Sequence, residues 1–205
     1  MAAPALRDGI RDSLEIQSKN LQAIAHIIHF SINQAALLMT AIYSFPPQIA
    51  NNSRVLILGS MPGVVSLQMG QYYAHPQNTF WKIMGDLLNA GPELPYAKRM
   101  AKLHSHKIGL WDVLKSCKRS TSLDSDIKNP QPNDFATLYA DMPALTHVFF
   151  NGSKAEAAYR RYVMPQLGQS CAHLLYARLP STSPANASIT YAEKLQAWRG
   201  ILLNS

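Results

Sequence analysis

Short apolar runs alternate with amphipathic stretches along most of this chain. Val55-Leu56-Ile57-Leu58 is unbroken by any polar residue, which suits a strand covered on both faces. A first strand is therefore expected over residues 54–58. Thr146-His147-Val148-Phe149-Phe150 reads as a second buried strand, and residues 172–177 as a third core strand. Ile108-Gly109-Leu110-Trp111-Asp112-Val113-Leu114 is a further short apolar segment, a strand or a strand edge. Helical spacing appears between these runs. Phe80, Trp81, Ile83, Met84, Leu87 and Leu88 share one face behind Pro76 and Asn78, and Asn89-Ala90-Gly91 ends that helix. Further helices are expected over residues 96–104, from Asn133-Asp134-Phe135 to Asp141, over residues 153–162 and over residues 191–203. Residues 115–133 are polar and read as one long loop. Strand and helix alternate, so the expected fold is α/β, a three-layer α/β/α sandwich with a mainly parallel central sheet. Residues 14–43 show loose helical periodicity that Phe45-Pro46-Pro47 breaks. Residues 1–44 are thus expected to be a helical or partly disordered leader, and residues 45–205 the domain.

Three of the strands run into loops of special composition. Gly59-Ser60-Met61-Pro62-Gly63 follows the first, Asn151-Gly152 the second, and Leu179-Pro180-Ser181-Thr182-Ser183-Pro184-Ala185-Asn186 the third. In a parallel sheet these carboxyl ends lie on one edge, so the loops are expected to form one pocket. A dense polar-aromatic run, Tyr72-Tyr73-Ala74-His75-Pro76-Gln77-Asn78-Thr79-Phe80-Trp81, opens the next helix. Asn78 stands where that helix begins, which suits a cap as well as a pocket group. Asn151 carries a donor and an acceptor on one side chain, and Asn-Gly is also a common turn.

Charge narrows the choice of partners. The net charge is +7 and the pI about 9.5. Arg7, Arg11 and Lys19 balance Asp8, Asp12 and Glu15, so the whole excess falls after residue 50. A basic domain suits a polyanion or, equally, a basic enzyme with a small substrate. Two cysteines, Cys117 and Cys171, cannot supply a four-cysteine metal site, and with no His/Cys cluster no metal is expected. Two reduced thiols fit a cytoplasmic protein. Residues 21–43 are apolar, yet His26, His29, Ser31, Asn33 and Gln34 would be costly in a bilayer, so no membrane span is expected. The first twenty residues lack the pattern of a secretory signal. Met39 lies shortly before the domain and is a candidate alternative start, which the intact mass of natively expressed protein would decide.

Five segments together, Gly-Ser-Met-Pro-Gly, Tyr-Tyr-Ala-His-Pro-Gln-Asn-Thr-Phe-Trp, Gly-Leu-Trp-Asp-Val-Leu, Phe-Phe-Asn-Gly and Leu-Pro-Ser-Thr-Ser-Pro-Ala-Asn, resemble the uracil-DNA glycosylase superfamily, and within it the hypoxanthine-DNA glycosylase branch. The resemblance spans about residues 45–203. It implies a monofunctional enzyme that flips a deaminated base out of double-stranded DNA and hydrolyses its bond to the sugar, without cofactor, as a monomer. Relatives carry the water-activating Asp or Asn at the third position of the first loop, where this chain has Met61. A thioether cannot orient a water for attack. The hypoxanthine branch uses an Asn of the following run instead, and the matching residue is Asn78. The resemblance further assigns base binding to Asn151, Tyr73, His75 and Ser60, with Tyr73 as the stacking ring. It assigns DNA contacts to Gly63, Ser181, Thr182, Ser183 and Pro184. Leu179 stands where uracil-specific relatives have a His that stabilises the departing base. Lys115, Lys118 and Arg119 suit phosphates or plain solvation. Asp112 suits a structural or pocket-shaping role. Rival expectations are a uracil or mismatch glycosylase, a non-catalytic damage-binding module, and a phosphate-binding loop at residues 59–63, which lacks the usual Lys-Ser/Thr.

Overall fold

A computed structural model of the chain describes residues 41–119, 127–168 and 171–203. The leader expected over residues 1–44 lies outside them except for its last four residues. Strand β1 (Ala41–Tyr43) is followed by β2 (Val55–Gly59), α1 (Val64–Met69), α2 (Phe80–Leu88), α3 (Tyr96–Ser105), β3 (Ile108–Asp112), β4 (Leu114–Lys118) and β5 (Lys128–Pro132). Then come α4 (Phe135–Asp141), β6 (His147–Asn151), α5 (Ser153–Tyr162), β7 (Leu175–Leu179) and α6 (Tyr191–Trp198), which continues as a 3-10 turn.

The main sheet has four parallel strands in the order β3-β2-β6-β7. All five residues of β2 are buried, as an unbroken apolar run at the sheet centre requires. Its side chains alternate between two cores. Val55 and Ile57 pack with Phe80, Trp81, Met84 and Trp198 on one face. Leu56 and Leu58 pack with Phe135, Phe150 and Tyr159 on the other. Helices therefore cover both faces, and the three-layer α/β/α reading holds.

Two expectations fail, each for a physical reason. Residues 115–133 are not one loop: β4 and β5 pair antiparallel there, and β1 adds to β4 through Ile42↔Cys117. Register shifts between β4 and β5 blur the period of two, and Pro130 and Pro132 argue against a strand. Prolines are tolerated because β5 is the edge of this small sheet. The helical periodicity read as far as Tyr43 likewise ends in a strand. The last strand begins at Leu175 rather than 172, because residues 171–173 form a tight turn in which Leu174 N–H donates to the Cys171 carbonyl. It is an edge strand with Leu175, Ala177 and Arg178 exposed, not a core strand.

Helix ends follow their local chemistry. Asp134 caps α4 by accepting from Thr137 N–H at 3.0 Å. Thr190 and Glu193 form a reciprocal capping box on α6. Asn89 closes α2 in a left-handed conformation, φ 54°. Helix α6 then buries Trp198, whose Nε1 donates to the Pro180 carbonyl at 3.0 Å. The closing helix thereby anchors the loop that follows β7.

Candidate functional site

Strands β2, β3, β6 and β7 end together, with Gly59 opposite Asp112 and Asn151 opposite Leu179. The loops beyond these ends, joined by the turn before α2, enclose a cavity of about 270 Å³, near the lower end for small-ligand pockets. Ser60, Gly63, Tyr73, His75, Asn78, Asn151, Ser181, Thr182, Ser183 and Pro184 all line it, as do Met61, Tyr72 and Asp112.

Gly59 is required by close approach. A Cβ there would stand 2.7 Å from Asp112 Oδ1 and 3.4 Å from the Tyr73 hydroxyl. Gly152 is required by conformation: its φ is +96°, and a Cβ would meet Ser181 Cβ at 2.7 Å. The backbone of two loops is thus pressed against side chains from neighbouring strand ends.

Thr182 ties the site together. Its N–H donates to Asn151 Oδ1 at 2.9 Å, and its Oγ1 accepts from Asn151 Nδ2 at 2.9 Å. Its carbonyl accepts from the Thr79 N–H at 3.0 Å and hydroxyl at 3.3 Å. Thr182, expected to contact DNA, is fully buried, and its polar groups serve the site's own frame. Ser181 and Ser183 sit nearer the surface, where each hydroxyl accepts a backbone N–H two residues on. Pro184 is exposed at the rim.

Asn78 meets both of its readings. Its Oδ1 accepts from the Phe80 N–H at 3.0 Å, which holds the first turn of α2. The same half-buried side chain lines the cavity. One lone pair of Oδ1 remains after the Phe80 bond. Met61 is 7% exposed and packs into the core with Leu58, so its side chain belongs more to the fold than to the cavity's chemistry. His75 is exposed, with Nδ1 accepting from the Gln77 N–H at 3.2 Å.

Tyr73 adopts a left-handed backbone, φ 55°, which costs a non-glycine residue about 1–2 kcal/mol. Its ring stacks on Phe80 at 4.0 Å between centroids with 25° between planes. The preceding residue is fixed from both sides, since Tyr72 N–H donates to the Tyr96 hydroxyl and Trp81 Nε1 donates to the Tyr72 carbonyl. Strain of this kind persists where surrounding contacts over-determine it. Phe80 is fully buried core, so the ring of Tyr73 is the one that faces the cavity.

Asp112 forms the floor, 2% exposed at the end of β3. The Tyr72 and Tyr73 hydroxyls are both buried close to its charge. Burial, and then the Asp112 charge, push the Tyr72 and Tyr73 hydroxyls well above the usual tyrosine range. A lone acid inside the apolar run Gly-Leu-Trp-Asp-Val-Leu was the signal for this floor. Sequence reasoning left its role open.

Arg119 is neither solvated nor on the surface. It is 5% exposed and Nη2 donates to the Pro62 carbonyl at 2.5 Å, holding the loop after β2 from behind. Lys115 and Lys118 are exposed. Beside the cavity a wider groove of about 600 Å³ runs past Ser153, Lys154, Arg178 and Ser181. Arg178 pairs with Glu156 at 3.3 Å, so Lys154 is the groove's cation without a carboxylate partner among the described residues.

Comparison with known proteins places the chain among relatives. The family model of the uracil DNA glycosylase superfamily matches residues 46–202. A hypoxanthine DNA glycosylase of Methanosarcina barkeri (strain Fusaro / DSM 804) is 44% identical over 112 residues, 54% of this chain and 71% of that protein. A hypoxanthine DNA glycosylase of Methanosarcina acetivorans is 39% identical over 112 residues, with the same coverage. A solution NMR structure of a Methanosarcina acetivorans protein superposes with a TM-score of 0.65 at 32% identity, covering 79% of this chain and 99% of that one.

Proposed function

Because the chain belongs to the uracil DNA glycosylase superfamily, we propose that it hydrolyses the N-glycosidic bond of a deaminated base in double-stranded DNA, hypoxanthine of deoxyinosine first, and leaves an abasic site. It is a DNA glycosylase, as are its relatives named hypoxanthine DNA glycosylase. The single observation that supports the substrate best is the cavity itself, where an acceptor oxygen of Asn78 and the carboxamide of Asn151 meet with no acidic or amide side chain on the first loop.

In this reading the flipped nucleotide places its base in the cavity against the ring of Tyr73, beside Ser60 and His75. Asn151 faces the edge of the base. Asn78 Oδ1, held in place by the Phe80 N–H, orients a water through its remaining lone pair. The water oxygen bonds to C1′ as the bond from C1′ to the base nitrogen breaks. The bonding pair leaves with the base, which takes a proton from solvent, and the attacking water loses one to solvent. An oxocarbenium-like transition state needs little base strength, so positioning carries most of the effect. Ser181, Ser183, Pro184 and Gly63 press on the DNA backbone, and the groove past Lys154 continues the path of the strand. The enzyme acts as a monomer in the cytoplasm, at the nucleoid. No helix among the described residues is long and apolar enough to cross a membrane.

The test is base release from labelled duplexes holding one deoxyinosine or one deoxyuridine. Release from deoxyinosine that falls at least about 100-fold in Asn78→Ala is expected. Release from deoxyuridine alone would make this a uracil enzyme, as a G/U mismatch-specific relative of Schizosaccharomyces pombe is, 30% identical over 95 residues. Binding without release would make it a damage-binding module.

A further inference from the structure

A free asparagine reads a base with the edge shared by its oxygen and nitrogen, one acceptor beside one donor. In this site that edge is occupied. Thr182 reaches Asn151 Oδ1 with its N–H and Asn151 Nδ2 with its Oγ1, each at 2.9 Å. Two neighbouring atoms of one residue can reach both ends of a carboxamide only along the shared edge, because the other lone pair and the other N–H diverge. The orientation is also fixed: a backbone N–H only donates, so the atom facing it is the oxygen. Asn151 therefore keeps one N–H and one lone pair that point apart, and no single base edge takes both.

The missing partner stands nearby. Asp112 lines the same cavity and holds its Oδ1 against Gly59. The Tyr73 hydroxyl lies beside the same glycine. A base stacked on the Tyr73 ring would enter the cavity that Asn151 and Asp112 both line. A carboxylate offers about four lone-pair sites, so Asp112 can accept from a base as well as from its neighbours in the protein.

We infer that the base edge is read by two residues, Asn151 as donor to the keto oxygen and Asp112 as acceptor from the adjacent ring N–H, with Thr182 as the positioning residue that commits Asn151 to its half. The inference rests on the glycosylase reading above. A keto group beside a ring N–H is the edge of hypoxanthine. Adenine presents an amino group beside a bare nitrogen, and both contacts become repulsive. The carboxylate also opposes the negative charge on the departing base, so this selection comes at some cost in rate.

The experiment uses the full chain and duplexes with one deoxyinosine or one N1-methyl-deoxyinosine, which lacks the ring N–H. Asp112→Asn keeps the size of the side chain but turns a donor toward the base, and release from deoxyinosine should fall at least about tenfold. Asp112→Ala opens room for the methyl group, so the ratio of release from deoxyinosine to release from its methylated analogue should fall at least about tenfold. Thermal melting identifies a variant that has merely lost its fold. Equal losses on both substrates in Asp112→Ala, or wild-type release from deoxyinosine by Asp112→Asn, overturn the inference alone. Absence of any release by the wild-type chain overturns the glycosylase reading, and this inference with it.

Discussion

Thr182 and Asn151 exchange two hydrogen bonds of 2.9 Å, backbone N–H to Oδ1 and Nδ2 to Oγ1, across the ends of two different strands. This bidentate pair couples the loop after β7 to the loop after β6. Thr182→Val preserves shape and the backbone bond but leaves one buried Nδ2 hydrogen without its acceptor. It should cost about 1–3 kcal/mol of stability, while Thr182→Ser costs less than half of that. Urea denaturation of the two variants checks this. Equal stability of the valine variant and the wild type would mean that the hydroxyl contributes nothing to the frame.

Asn78 holds the start of α2 and, in our reading, the water. The two roles separate in Asn78→Asp. A carboxylate still accepts from the Phe80 N–H and adds a favourable charge at a helix start, about 0.3–1 kcal/mol. It also orients water. Asn78→Asp should therefore keep both the melting temperature and measurable base release. Asn78→Ala should lose about 0.5–1.5 kcal/mol with the hydrogen bond from the Phe80 N–H, and nearly all release. An aspartate variant as inactive as the alanine one would show that the amide N–H, not the oxygen, is what the reaction needs.

The strands β2 and β6 were legible because a central parallel strand is apolar throughout, a signal that survives in sequence. Helix α5 was legible to the residue, with Gly152 before it and Val163 after it. The antiparallel sheet was not, since Pro130 and Pro132 on its edge carry the opposite local message and only the tertiary pairing overrides it. At the site, the position of three loops at one sheet edge was enough to gather Ser60, Asn151 and Ser181, and the family resemblance added Tyr73 and Asn78, around one cavity. Composition gave no hint that Thr182 turns inward or that Arg119 lies under the first loop. Both facts depend on which way a side chain points in a segment without periodicity.

Arg119 gives the first loop a buried cationic support at Pro62. Lysine cannot reproduce a planar guanidinium fork, and methionine removes the donor altogether. Arg119→Lys and Arg119→Met should both reduce base release, with the methionine variant losing more, because Ser60 and Gly63 lose their backing. The methionine variant should also lose about 1–3 kcal/mol, as the Pro62 carbonyl is left without its donor. Single-turnover release, measured with DNA in excess, reads the first effect and denaturation the second. Wild-type release by Arg119→Met would show that the loop holds its shape without the arginine.

Alkaline pH should unfold this protein in a defined window. Burial raises the hydroxyls of Tyr72, Tyr73, Tyr139 and Tyr159 above the ordinary value of 10.0. Tyr139 and Tyr159 also share a hydrogen bond of 2.7 Å between their hydroxyls. An acid whose pKa is raised in the folded state holds its proton there after the unfolded chain has lost it. Below pH 10 both states are protonated and the contribution to stability is fully present. Above pH 10 the unfolded chain binds fewer protons, so stability falls as pH rises toward the folded values. Each unit of pH in that window removes about 1.4 kcal/mol per such tyrosine. Tyrosinate absorbance and circular dichroism, followed together from pH 8 upward, should therefore show these four rings ionising in one step with loss of structure. Tyr159→Phe should shift that step to higher pH, since it removes one of the raised groups. Gradual ionisation near pH 10 with the fold intact would mean that these hydroxyls are reached by water in the native protein.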